Sequence, residues 1–136
     1  MQQKTRRADR VILALWIVGF VVGTASHVLD VLAGGLSTYG EFPTPLRVFW
    51  GSLLVVDPIV VCLLATRRRA GVVLALVVIL ADIAVNWTVW LTISGNPLWG
   101  MINQTLFAAL LVVTAPRLWR WFGARTSRTA PVRGSR

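Results

Sequence analysis

The chain has 136 residues, of which 56% are hydrophobic and only 14% are charged, and its mean hydropathy is +0.70. This hydrophobic fraction is too high for an ordinary globular protein to remain soluble in water, so the composition excludes a water-soluble domain and indicates a membrane protein. The net charge of +9 would suit nucleic-acid binding if it lay on one polar face, but the basic residues lie between apolar runs, and we exclude nucleic acid as a partner.

Four apolar segments are long enough to cross a bilayer core about 30 Å thick, which takes roughly 20 helical residues. They are residues 11–33, 46–66, 71–93 and 98–116. We predict an all-α integral membrane bundle of four antiparallel, up-and-down transmembrane helices. Its predicted parts are a basic N-terminus at 1–10, a transmembrane domain at 11–118, and an interfacial and then disordered basic tail at 119–136.

The basic residues predict the orientation of the helices. Of the 14 Lys and Arg residues, all except Arg47 precede the first segment, lie at 67–69 or follow the fourth segment. The positive-inside rule therefore places both termini in the cytoplasm, and we expect a multi-pass protein of the plasma membrane. The first segment stays apolar through Leu32, a full spanning length, so we expect it to be retained and not cleaved as a signal peptide.

Polar side chains inside the segments are the candidate functional residues. Three of the five acidic residues lie there, although one charged residue at a helix centre costs about 2.5–3.5 kcal/mol on translocon scales. Asp57 and Asp82 fall near mid-segment, and the others lie nearer the predicted outer surface. We predict that seven residues converge on one polar pocket in the outer half of the bundle: His27, Asp30, Asp57, Asp82, Asn86, Asn103 and Gln104.

Pro58 directly follows Asp57 and cannot donate a hydrogen bond to the carbonyl of Leu54. The sequence therefore predicts a kink and a hydrophilic notch beside the carboxyl group. Trp50 and Trp90 lie on the same helix faces as polar residues of the predicted pocket, and we expect them to form its apolar walls.

The chemistry predicted for this pocket is acid–base chemistry. Burial keeps an unpartnered carboxylic acid neutral, whereas a carboxyl group that faces an imidazolium can ionise. We assign catalytic roles to Asp57, Asp82 and His27, and ligand binding to Asp30, Asn86, Asn103, Gln104, Trp50 and Trp90. Such a site suits proton donation to an alkene or epoxide, as in a lipid isomerase or terpenoid cyclase. A proton-coupled transporter and an accessory subunit of a membrane complex are the alternatives.

Three motifs follow one another in the first three segments: HVLD at 27–30, SLLVVDPIVV at 52–61 and DIAVN at 82–86. Their order resembles the EXPERA type of four-helix membrane protein, which includes sterol isomerases and the sigma-2 receptor. The resemblance covers about residues 16–105 and implies a lipid or amine ligand buried among acidic residues, and in some members protonation of a double bond. It puts His27, Asp30 and Asp57 on family-like positions, but Asp57 stands where a Glu is expected, and the first external loop is short.

Motifs for cofactors and metals are absent from the sequence. There is no Gly-rich phosphate loop, no Cys pair and no nucleophile elbow, and His27 is the only histidine. We predict no cofactor and no metal. The expected partners are an apolar small molecule or lipid and the membrane, and a homodimer is an open alternative. The single cysteine, Cys62, falls inside a predicted helix, where we expect a packed, unreactive thiol.

Overall fold

The computed structural model describes residues 2–93 and 98–126, and these form four long helices joined by short connections. The helices are α1 (Gln2–Gly34), α2 (Thr44–Ala65), α3 (Arg69–Thr92) and α4 (Leu98–Thr126), with a single 3₁₀ turn at Gly35–Ser37. All four are long and apolar enough to cross a membrane. The predicted all-α bundle of four helices is therefore confirmed.

Two helices extend beyond the predicted membrane segments. α1 begins at Gln2, within the predicted basic N-terminus, and α4 continues through Pro116 to Thr126. Arginine is a good helix former, so these basic ends can continue the helices beyond the apolar segments. The first part of the predicted tail is thus helical, whereas residues 94–97 and 127–136 lie outside the described residues.

An ion pair joins the extended ends of α1 and α4. Arg117 donates a hydrogen bond from Nε to the buried carboxylate of Asp9, and from Nη2 to the carbonyl oxygen of Thr5 at 3.2 Å. Each helix otherwise packs mainly against its neighbours in sequence. The ion pair therefore adds a polar interhelical contact between α1 and α4.

The helices pack through stripes of residues spaced alternately by three and four positions. In α2 the stripe is Trp50, Leu53, Asp57, Val60 and Leu64. In α4 it is Met101, Gln104, Ala108, Leu111, Ala115, Leu118 and Phe122, of which all but the partly buried Gln104 are buried. Alternate spacings of three and four average 3.5 residues, so each stripe stays on the inward face of its helix, as in other helix bundles.

We call the end that carries the α1–α2 connection (residues 35–43) the pocket end, and the opposite end, with the turn at 66–68, the basic end. The half toward the basic end is filled by side chains with almost no exposed surface: Trp16, Val60, Leu64, Val72, Ala75, Leu111 and Leu118. The Trp16 indole is satisfied there, because Nε1 donates to Thr114 Oγ1 at 2.9 Å. This half of the bundle is a packed apolar core.

The turn between α2 and α3 is tight, as the short RRRAG sequence predicts. The N–H of Arg68 donates to the carbonyl of Leu63, and that of Arg67, with φ at 54°, donates to the carbonyl of Leu64. This is a Schellman turn with a non-glycine residue in the left-handed region. A Cβ on Gly71 would lie 2.9 Å from the backbone of Leu63, so only glycine permits this close approach of α3 to α2.

The surface of the bundle is apolar, as a lipid-facing surface requires. Cys62 lies on this surface, so the prediction of a packed thiol is wrong. The inward stripe of α2 passes through Val60 and Leu64, which leaves position 62 on the outward side. α2 itself continues without interruption through Pro58.

Candidate functional site

Two adjoining cavities lie in the half of the bundle toward the pocket end. The larger, of about 340 Å³, is the mouth chamber, and all four helices contribute to its walls: Ser26, His27, Asp30, Tyr39, Phe42, Trp50, Asn86, Gly100, Met101 and Gln104. The smaller, of about 110 Å³, is the inner cavity, lined by Phe20, Gly23, Ser26, His27, Leu53, Asp57, Val78, Ile79, Asp82, Gln104 and Phe107. Three residues line both cavities, namely Ser26, His27 and Gln104, so the two adjoin.

Asp82 belongs to a closed ring of hydrogen bonds between α3 and α4. Its Oδ1 accepts from Asn86 Nδ2 at 2.9 Å, and its Oδ2 accepts from Gln104 Nε2 at 2.8 Å. Asn86 Nδ2 also donates to Gln104 Oε1 at 2.9 Å, and Trp50 Nε1 donates to Asn86 Oδ1 at 3.2 Å. Both carboxylate oxygens of Asp82 thus have amide donors within the protein.

Asp57 shares the inner cavity with Asp82 but has a different environment. Its side chain is buried, with 5% of the residue surface exposed, and Oδ1 has no hydrogen-bond partner among the described residues. Burial of a carboxylate without a donor costs far more than burial of the neutral acid. Asp57 is therefore the carboxyl group in this cavity that can accept or donate a hydrogen bond to another molecule.

Gly23 forms the part of α1 that faces Asp57. A Cβ at this position would lie 3.2 Å from Asp57 Oδ2, with no other atom closer than 4 Å. The glycine therefore leaves room directly beside the carboxyl group. Because the inner cavity is small, even one methyl group here would remove space that a ligand needs.

A second hydrogen-bonded group lies at the mouth of the chamber. The hydroxyl of Tyr39 donates to Asp30 Oδ2 at 3.1 Å, and His27 Nδ1 lies 3.3 Å from the same hydroxyl oxygen. A phenol has one proton, so if that proton bonds Asp30, His27 Nδ1 must carry the hydrogen of the second contact. In the neutral imidazole, Nε2 is then the acceptor nitrogen.

Tyr39 stays protonated under physiological conditions. Its burial, followed by the negative charge of Asp30, raises the pKa of Tyr39 to about 12. The ring also packs against Trp50, with the ring centroids 5.2 Å apart, and Phe42 meets the same indole edge-on at 5.0 Å. The α1–α2 connection thus forms an aromatic cover over the mouth chamber.

Most of the predicted site residues come together, but two do not. Asn103 is exposed, because the inward stripe of α4 passes through Met101 and Gln104 and leaves position 103 outside it. Trp90 is 37% exposed and packs edge-on against Trp87. The prediction that these two residues line the pocket is wrong.

In α3 the inward stripe runs from Asp82 to Asn86 and then three residues on to Val89, which is buried, and not four residues on to Trp90. Three site residues outside the prediction are Tyr39, Phe42 and Gly23. For Gly23 the signal is in the sequence, since it continues the α1 spacing from Trp16 and Phe20 to His27. Tyr39 and Phe42 lie in an irregular connection, where periodicity gives no indication of direction.

No three His, Cys, Asp or Glu side chains within residues 2–93 and 98–126 are grouped so that they could hold a metal ion. Comparison of the chain with family models, with curated proteins and with solved structures gave no match. Function must therefore be inferred from the geometry of the cavities and the environment of the two buried aspartates.

Proposed function

We propose that this protein is a membrane-embedded isomerase or cyclase that binds an apolar small molecule, such as an isoprenoid or another lipid, and transforms it by acid–base chemistry. The observation that carries the proposal is the contrast between two aspartates in one cavity. Asp82 has an amide donor on each oxygen, whereas Asp57 is buried and its Oδ1 has no partner in the part of the chain that the structure describes. Environments that separate two carboxyl groups in this way give them different roles, which here are proton donation by Asp57 and stabilisation of positive charge by Asp82.

The size and lining of the cavities support ligand binding. A volume of about 340 Å³ falls within the roughly 300–1,000 Å³ of small-molecule pockets, which combine apolar walls with a few placed polar groups. The packed apolar half toward the basic end closes the pocket below the inner cavity. A pocket closed at one end favours a binding or catalytic site over an open pathway, so the transporter is the weaker alternative.

The proposed chemistry moves a double bond. Asp57, as the neutral acid, donates its proton to one carbon of an alkene, and a base removes a proton from a neighbouring carbon. Nε2 of His27 is an acceptor nitrogen on the wall shared by both cavities and can take that proton. The charged Asp82 and the face of Trp50 would stabilise the positive charge that develops between the two steps.

The resemblance to the EXPERA group stays a prediction. We further propose that the protein lies in the plasma membrane with both termini in the cytoplasm, because among the basic residues within 2–93 and 98–126 only Arg47 lies at the pocket end. In a Cys62→Ser background, cysteine at Ser37 should then react with an impermeant maleimide on intact cells, and cysteine at Ala70 should not. The reverse pattern would reject this orientation.

Solvent deuterium tests the proposed chemistry directly. Purified protein is incubated in D₂O with a lipid extract of its host membranes, and the extract is analysed by mass spectrometry. A proton donated by Asp57 exchanges with solvent between turnovers, so one lipid species should gain carbon-bound deuterium with the wild type and none with Asp57→Asn. Glu41→Gln, which removes an exposed carboxyl group of the α1–α2 connection that lines neither cavity, is the matched control and should retain most incorporation. Equal incorporation with Asp57→Asn would overturn the proposal.

A further inference from the structure

Arg47 is the exception in the distribution of basic charge, and it lines a cavity separate from the mouth chamber. This cavity, the lateral groove, has a volume of about 400 Å³ and lies between the end of α1 and the start of α2. Its walls are mainly apolar, with Val31, Val48 and Leu54 among them. The groove thus combines an apolar trough, open to the side of the bundle, with one cationic side chain.

The lateral groove and the mouth chamber share one lining residue. Tyr39 lines both cavities, and its hydroxyl donates to Asp30 on the chamber side. Because Tyr39 belongs to the α1–α2 connection and not to a helix, its ring can swing away from Trp50 and Asp30 without a shift of a helix backbone. A displaced Tyr39 ring would join the groove and the chamber into one continuous cavity.

We propose that the lateral groove and the mouth chamber together bind one single-chain amphiphile with an anionic headgroup, which Arg47 holds at the membrane surface while the chain passes Tyr39 toward Asp57. This inference rests on the proposed function and names the class of its substrate. The phosphate or carboxylate head stays at the groove, because the mouth chamber carries the exposed carboxyl group of Asp30, which repels an anion.

The distance between the two ends of this site defines the ligand further. Arg47 and Asp57 are ten residues apart on α2, which is about 15 Å along the helix at 1.5 Å per residue. The reacting double bond would therefore lie well along the chain, remote from the head. A short-chain anion would occupy the groove without reaching the inner cavity.

Photolabelling tests this arrangement. The probes are hexadecyl phosphate and hexadecanol, each with a diazirine at the end of the chain, added to the protein in phosphatidylcholine nanodiscs. Crosslinked peptides are identified by mass spectrometry. The phosphate probe should label α1 and α2 near Gly23 and Leu53, about fivefold more than the alcohol does, as one partly exposed charge pair allows. Equal labelling by both probes would overturn recognition of the anionic headgroup by Arg47. Labelling confined to the lateral groove would overturn passage of the chain past Tyr39.

Two substitutions separate the groove from the chamber. Gly51 lines the groove, and a Cβ built there meets no atom within 4 Å, so Gly51→Leu should fill the groove without disturbing the fold, whereas Gly51→Ala is the control. Arg47→Gln should reduce labelling by the phosphate probe to the level of the alcohol, and Arg68→Gln at the basic end should have no effect. Unchanged labelling near Gly23 and Leu53 in folded Gly51→Leu would overturn the route through the groove.

The outcomes also distinguish this inference from the proposed function. If Arg47→Gln and Gly51→Leu retain deuterium incorporation that still depends on Asp57, the proposed chemistry stands, and the proposal that the substrate is an anionic amphiphile is wrong. If the phosphate probe labels the inner cavity as expected but no lipid gains deuterium, the binding site for the amphiphile stands and the catalytic proposal fails.

Discussion

Toward the basic end, the inward stripes of the helices carry Trp16, Val60 and Leu111, which have no exposed surface. Toward the pocket end, stripes with the same spacing carry His27, Asp57 and Gln104, which surround a cavity. Each helix is continuous through both halves, and the halves differ in the side chains that they carry on the inward stripes. One half provides the packing that holds the bundle together, and the other can therefore contain buried polar groups and empty space.

Substitution in the packed half should have the largest effect on stability. Leu111→Ala removes a completely buried side chain and should lower the free energy of unfolding by about 2–3 kcal/mol through lost packing. Val113→Ala, at a position that is 78% exposed to lipid, is the matched control and should change it by less than about 0.5 kcal/mol. The comparison uses unfolding in mixed detergent micelles. Equal effects at both positions would show that this half is not a close-packed core.

Asp82→Asn should give the next largest loss of stability. The new amide nitrogen would face a donor N–H of Asn86 or Gln104 and leave it unsatisfied, at a cost of about 1–3 kcal/mol. Asp57→Asn breaks no hydrogen bond to Oδ1 and should leave the melting temperature unchanged or higher. Thermal melting of both variants in the same detergent provides the measurement. Similar losses for the two would contradict the different roles of these aspartates.

The sequence predicts the fold well because hydropathy and charge placement depend only on composition along the chain. It also identifies Asp57, Asp82, Asn86, Gln104 and His27, since polar residues at mid-span are costly unless they face inward. The choice between adjacent positions is harder. A Trp four residues beyond Asn86 satisfies helical spacing as well as a Val three residues beyond it, and only packing against the other helices selects Val89.

The two errors in the predicted pocket have the same cause. Asn103 and Gln104 are adjacent amides at nearly the same depth in the membrane, so depth alone cannot show which of them faces inward. The stripe of α4, with its alternate spacings of three and four residues, selects Gln104. The contribution of Tyr39 could not be predicted in this way, because its position depends on how an irregular connection folds back over the bundle. The asymmetry between Asp57 and Asp82 likewise depends on the amide of Gln104, which comes from a different helix than Asp82.

A smaller effect is expected where the pocket half has empty space. Gly23→Ala places a methyl group 3.2 Å from Asp57 Oδ2, so stability should change by less than about 1 kcal/mol, while deuterium incorporation into lipid should fall severalfold. Gly51→Ala adds the same group where no atom lies within 4 Å and should retain incorporation in the same assay. A Gly23→Ala protein with full activity would show that the inner cavity does not receive the ligand.

Ionisation of Tyr39 gives the smallest signal, but it reports on the mouth of the pocket alone, because Tyr39 is the only tyrosine. The pKa is raised from 10.0 to about 12, so the phenol stabilises the fold below pH 10 and loses this contribution as the pH rises through 12. Ultraviolet titration of the phenolate should give the raised value, and Asp30→Asn should lower it. A midpoint near 10 in the wild type would contradict the burial of Tyr39 beside Asp30.

The protonation state of Asp57 tests the central claim most directly, since the contrast between a satisfied and an unsatisfied carboxyl group underlies the proposed chemistry. Infrared spectra of the protein in lipid at pH 7, compared with spectra in D₂O, resolve the carbonyl stretch of a neutral carboxylic acid. We expect one such band in the wild type and in Asp30→Asn, and its loss in Asp57→Asn. A spectrum without the band, or a band that survives in Asp57→Asn, would contradict the assignment of Asp57 as the neutral acid that faces the ligand.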